Sequence, residues 1–156
     1  INPTLTWSPD GKTVAMLEKQ LFLFDVFSKQ LRPVEIEREV SAVRWSPTGD
    51  RLFYQTADGL GMTTRDGMVT TLPLGASLSQ VVPTSDGRAL IALTSQNQKA
   101  ALIRFDLTSL GASPLALASV PNLSADNLRL GPDDTILYFT SAGQPNVLEI
   151  DDGVYH

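Results

Sequence analysis

Trp7-Ser8-Pro9-Asp10-Gly11-Lys12 returns as Trp45-Ser46-Pro47-Thr48-Gly49-Asp50, and a weaker copy follows as Pro83-Thr84-Ser85-Asp86-Gly87-Arg88. A fourth copy is Leu130-Gly131-Pro132-Asp133-Asp134-Thr135, with Asp134 where the others carry glycine. That position moves from 11 to 49 to 87, two steps of 38, and then to 134. A recurrence of about 40 residues is the mark of stacked supersecondary units. Each copy also has a local meaning. Proline presets its own φ, Asp bonds the backbone ahead of it, and Gly adopts the positive φ that other residues resist. We read Pro9, Gly11, Pro47, Gly49 and Gly87 as turn residues on these grounds.

An apolar burst follows each turn at once: Val14-Ala15-Met16-Leu17, Leu52-Phe53-Tyr54, Leu90-Ile91-Ala92-Leu93 and Ile136-Leu137-Tyr138-Phe139. These runs are too short for a stable helix and lie between turn residues, so they read as strands. Consecutive apolar residues imply burial on both faces, as in a sheet held between two others. A second strand then closes on an acidic residue, at Asp25, Asp66, Asp106 or Asp151. A strand precedes each turn, and a short further one is expected at residues 31–36, 68–72 and 115–119. A helix over 107–118 is opposed by Gly111 and Pro114. The expected fold is all-β: β-propeller blades in four four-stranded antiparallel repeats, near residues 1–38, 39–76, 77–122 and 123–156 of a single segment. The first repeat starts directly on its first strand and the fourth runs out after its third. An incomplete arc of a larger propeller is therefore expected, completed by further blades or by self-association. Exposed edges and bare apolar faces would promote either.

The Trp-Ser-Pro-Asp-Gly-Lys pattern, with its apolar strand and a strand ending in Asp, resembles the WD-like propeller repeat of the TolB family. The likeness spans nearly the whole chain and is sharpest in the first two repeats. It implies a protein-binding or scaffolding propeller, periplasmic or otherwise extracytoplasmic. The same repeat type occurs in propellers of prolyl oligopeptidase and dipeptidyl peptidase relatives. The alternative it implies is a regulatory or substrate-gating propeller of a larger peptidase-like enzyme.

Composition narrows the chemistry. The chain has 156 residues, 42% hydrophobic and 19% charged, with 12 Lys+Arg against 17 Asp+Glu and a net charge of -5. Arg32, Arg38, Arg44 and Arg51 are interrupted by Glu35, Glu37 and Glu39. Without a cationic stripe to neutralise phosphates, no nucleic-acid partner is expected. No apolar run approaches the roughly 20 residues that span a bilayer, so no membrane insertion by this segment is expected. The residues from Ile1 onward do not form a charged-then-apolar leader, so no secretion signal is expected in this segment. Cysteine is absent and His156 is the sole histidine, which opposes a Ser-His-Asp set and a zinc site. Asp133-Asp134 and Asp151-Asp152 sit at turn positions, and turn chemistry is the expected use of these carboxylates. No phosphate-cradling loop follows a strand, and Asn122-Leu123-Ser124 is only a short glycosylation-type triplet. We expect no catalytic residue, metal or cofactor.

Trp7 and Trp45, at equivalent positions, are expected to pack between adjacent sheets. The Pro-Gly turns are short and uniform, whereas the loops at the other end of each hairpin vary, at residues 18–20, 57–59, 75–77, 95–99, 121–125 and 142–145. Uniform loops are structural, and varied loops are free to become specific. The expected partner-binding residues are Lys19, Asp58, Gln96, Asn97, Asn122 and Gln144.

Overall fold

The computed structural model describes residues 3–74, 78–96, 99–115, 123–141 and 143–150. The chain divides into two compact units, Ile1–Ala76 and Ser77–His156, at the boundary between the second and third repeats. The first unit holds two four-stranded antiparallel sheets, β1(Thr4–Trp7) β2(Thr13–Leu17) β3(Leu21–Asp25) β4(Gln30–Pro33) and β5(Val40–Trp45) β6(Arg51–Thr56) β7(Gly59–Thr64) β8(Val69–Thr71). The second unit holds the four-stranded sheet β9(Leu78–Pro83) β10(Ala89–Gln96) β11(Lys99–Asp106) β12(Gly111–Leu115) and the three-stranded sheet β13(Leu123–Leu130) β14(Ile136–Ser141) β15(Gln144–Glu149). Every neighbour in a sheet is also the neighbour in sequence, so each repeat is an up-and-down meander. The third repeat departs from expectation. The expected strand is 115–119, of which 116–119 lie outside the described residues; the structure shows one at 111–115, where Gly111 pairs directly with Asp106 and the chain turns back early. Pro114 is tolerated there because β12 is an edge strand and needs no donor on its free side.

Register explains the apolar bursts. In the first sheet Ala15, Leu17, Leu21 and Leu23 point to one face. They form a core with Val34, Val40, Trp45, Leu52 and Tyr54 of the connector and the second sheet. In the second unit Ile91, Leu93 and Leu102 pack against Leu128, Leu137 and Phe139 in the same way. Leu90, Ile91, Ala92 and Leu93 are consecutive and all buried, so β10 is covered on both faces.

The turns are held by a hub that the proline and glycine pattern does not reveal. In the first three repeats the residue after the tryptophan position is a buried hydroxyl: Ser8, Ser46 or Thr84. Ser8 Oγ donates to Asp10 Oδ1 at 2.7 Å and accepts the Thr13 amide at 2.9 Å. Ser46 Oγ donates to Asp50 Oδ1 at 2.9 Å and accepts the Arg51 amide at 3.2 Å, and Thr84 Oγ1 donates to Asp86 Oδ1 at 2.7 Å. The turns close by amide bonds from Gly11 to Ser8, Gly49 to Ser46 and Gly87 to Thr84, each 2.9 Å. Asp134 takes the glycine's place at φ 60°, a conformation Asp accepts more readily than most residues.

The two tryptophans differ. Trp45 is 7% exposed, and its Nε1 donates to the Thr6 carbonyl at 3.1 Å, reaching back onto the first sheet. Trp7 corrects the expectation of a buried residue, being 60% exposed. The same direction taken from β1 leads away from the second sheet, to a face that no sheet of this unit covers. Leu5 and Leu31 share that face with Trp7 and are also exposed.

Candidate binding face

An up-and-down sheet puts its connections at two ends. The Pro-Gly turns and the β3–β4 and β7–β8 turns lie at one end; the β2–β3 and β6–β7 turns and the exit of β4 lie at the other. At the first end the polar groups are consumed internally. Arg65, from the β7–β8 turn, donates through Nε to the Gly49 carbonyl at 2.7 Å and pairs through Nη2 with Asp10 Oδ2 at 2.7 Å. It thereby ties three turns together, and Pro9 lies against the second turn so closely that a Cβ at Gly49 would come within 3.2 Å of its ring. The Ser8 hydroxyl, and after it Arg65, holds the Asp10 carboxyl at about 2, below the ordinary carboxylate range.

Asp25 and Asp106, at the ends of their strands, cap the turns that follow. Asp25 Oδ1 accepts the Phe27 and Ser28 amides at 3.0 and 2.7 Å. Asp106 Oδ1 accepts the Thr108 and Ser109 amides at 2.8 and 2.7 Å. These amides, led by that of Ser28 and that of Ser109, lower both carboxyls. Asp66 accepts the Thr64 hydroxyl, and Asp133 accepts the Thr135 hydroxyl at 2.8 Å. Asp134 Oδ2 accepts both the amide and the hydroxyl of Ser85 at 2.7 Å, joining the two turns of the second unit. Among the described residues no group of three or more His, Cys, Asp or Glu could hold a metal ion.

The opposite end is open. In the first unit Lys19 stands exposed on the β2–β3 turn and Asp58 on the β6–β7 turn. The connector from β4 to β5 runs between them and lines a cleft on each side. One cleft, of about 580 Å³, lies between Lys19 and residues 36–40; the other, of about 330 Å³, lies between residues 35–38 and β6, β7 and β8. Arg38 Nε pairs with Asp58 Oδ2 at 2.7 Å across the mouth of the smaller one, both side chains about two-thirds exposed. The structure thus brings Lys19 and Asp58 to one connector, a segment outside the varied loops. The signal was present in its alternation of Glu35, Glu37 and Glu39 with Ile36, an apolar residue that packs on the core.

In the second unit Gln96 ends β10 opposite Lys99, and Gln144 opens β15 as an exposed residue. Asn97 and Asn122 lie outside the described residues, as do Asp151, Asp152 and His156. No helix of the described residues is long and apolar enough to cross a membrane.

No family model matches the chain, and no curated protein matches it. Solved structures do. TolB from Acinetobacter baumannii aligns at 17% identity and a TM-score of 0.63, covering 97% of this chain and 39% of that one. A nidogen/laminin complex aligns at 12% identity and a TM-score of 0.65, covering 93% and 63%. An oligogalacturonate lyase in complex with manganese aligns at 18% identity and a TM-score of 0.64, covering 87% and 44%. The chain spans less than two thirds of the length of each of these structures. A protein complex and a lyase share the architecture, so the likeness is one of fold and not of activity. The chain has the fold of TolB-like β-propeller sheets.

Proposed function

We propose that this chain is a non-enzymatic, protein-binding propeller segment that meets its partner through the sheet ends opposite the Pro-Gly turns, which carry Lys19 and Asp58 in the first unit and Gln96 and Gln144 in the second. The observation that carries this reading is the contrast between the ends. The Pro-Gly end spends its polar groups on its own turns through Arg65, Asp10 and the Ser8 and Ser46 hubs. The other end leaves Lys19 exposed and an ion pair at the mouth of a cleft. Rigid sheets that present loops of differing length are the usual platform for specific recognition. The self-association expected from the sequence has a surface to use in the exposed face of Leu5, Trp7 and Leu31.

Site-specific photo-crosslinking in cells tests the reading. A benzophenone side chain at Lys19 or Gln144 is expected to give discrete protein adducts, and one at Lys12 on the Pro-Gly end none. Charge-introducing changes at Gln96 and Gln144 should weaken partner capture while the thermal midpoint stays in place. Adducts from position 12 alone would put the binding surface at the wrong end.

A further inference from the structure

The smaller cleft of the first unit is floored by Tyr54, a residue only 4% exposed. Its ring lies flat over Gly61, where a Cβ would come within 2.2 Å of Cζ, so glycine at that strand position is what lets the ring sit there. Among the described residues its hydroxyl makes no hydrogen bond. No buried side-chain N or O atom of the described residues lacks a partner, so the Tyr54 oxygen meets solvent, and the cleft that Tyr54 lines is its opening. A largely buried phenol whose hydroxyl opens on a cleft can give and accept a hydrogen bond with a ligand that enters it. Burial also pushes the phenol up from its usual range, which keeps it neutral and able to accept as well as donate.

The walls define what enters. Ile36 and Val69 are apolar and line the cleft with Tyr54. The rim carries Glu35, Glu37 and Asp58 against the single cation Arg38, which Asp58 already holds at 2.7 Å. Across the connector, Lys19 is balanced by Glu39 in the adjoining cleft. The rim is therefore acidic in sum, with Glu35 and Glu37 in no ion pair among the described residues. A ligand complementary to this order of groups has an aliphatic stem and a compact cationic end. Lysine has that form, burying its methylenes while its ammonium finds oxygen.

We propose that the Tyr54 cleft is a receptor for a lysine side chain projected by a partner protein, with the stem along Ile36 and Val69, the ammonium at the Tyr54 hydroxyl, and the Glu35 and Glu37 carboxylates attracting the cation at the rim. This rests on the protein-binding reading above and gives it a chemistry.

The test is a titration of the isotopically labelled chain, followed by NMR at the Tyr54 ring and the Gly59 and Gly61 amides. Three probes are used: acetyl-Gly-Lys-Gly-amide, the same peptide with norleucine for lysine, and butylamine. The lysine peptide is expected to shift these signals saturably, with norleucine at least tenfold weaker. Tyr54→Phe is expected to leave the thermal midpoint in place, since the hydroxyl bonds nothing in the fold, and to weaken the lysine peptide about tenfold, the share of a charge-assisted hydrogen bond. Equal binding of the norleucine peptide, no loss in Tyr54→Phe, or no saturable shift with the lysine peptide each overturns the assignment. Butylamine matching the peptide overturns the assignment to a protein segment. Crosslinks from Lys19 that persist while the lysine peptide shifts nothing would sink this cleft chemistry and leave the protein-binding reading standing.

Discussion

Removing the two tryptophans one at a time should have very different consequences, although their local sequences are nearly the same. Trp45 is 7% exposed. About nine tenths of a side chain of roughly 200 Å² is therefore out of water, and at about 25 cal/mol per Å² its transfer is worth roughly 4.5 kcal/mol as an upper estimate. That agrees with the roughly 3–5 kcal/mol usual for truncating a buried tryptophan. Loss of the part-buried indole bond to the Thr6 carbonyl contributes to that cost. Trp7 is 60% exposed. The same reckoning leaves roughly 80 Å² and at most about 2 kcal/mol. We expect Trp45→Ala to cost about 3–5 kcal/mol and Trp7→Ala less than about 2 kcal/mol, read from urea unfolding by circular dichroism. The chain contains only two tryptophans, so each variant is also a single-tryptophan reporter. Trp7 alone, in Trp45→Ala, should emit at long wavelength and quench readily with iodide, whereas Trp45 alone should emit blue-shifted and resist quenching. Equal unfolding costs, or a shielded Trp7 beside an accessible Trp45, would refute the packing direction derived for these sheets.

Two further outcomes follow from the turns and the cleft. The Asp10, Asp25 and Asp106 carboxyls titrate below their unfolded range, Asp10 at about 2, so they stabilise the fold above about pH 4 and lose that contribution as pH falls toward 2. The thermal midpoint should be level from pH 7 to about 5 and drop below 4, less steeply in Asp10→Asn; a midpoint flat to pH 2 would contradict the capping role. Gly61→Ala should cost about 1–3 kcal/mol by driving a methyl into the Tyr54 ring, and a smaller residue at position 54 should recover part of it. A Gly61→Ala chain as stable as the parent would mean that the ring is not seated where we place it.

The repeat, the strand order and the turn chemistry were all legible in the sequence, because they depend on residues within a few positions of one another. Pro, Asp and Gly set backbone angles locally, and an unbroken run such as Leu90-Ile91-Ala92-Leu93 needs cover on both sides wherever it lies. The capping by Asp25 and Asp106 belongs to the same class, since acceptor and amides are two or three residues apart. Tertiary structure decided what depends on the next sheet. Trp7 and Trp45 sit in matching motifs, yet only Trp45 has a neighbour to reach, the first sheet and its Thr6 carbonyl. Arg65 finds Asp10 from 55 residues away, and nothing in the spacing of either announces it. The Tyr54 cleft is of the same kind. It exists because Gly61 on the paired strand leaves room for the ring and a connector from another repeat closes over it, so its chemistry is assembled only when the sheets pack.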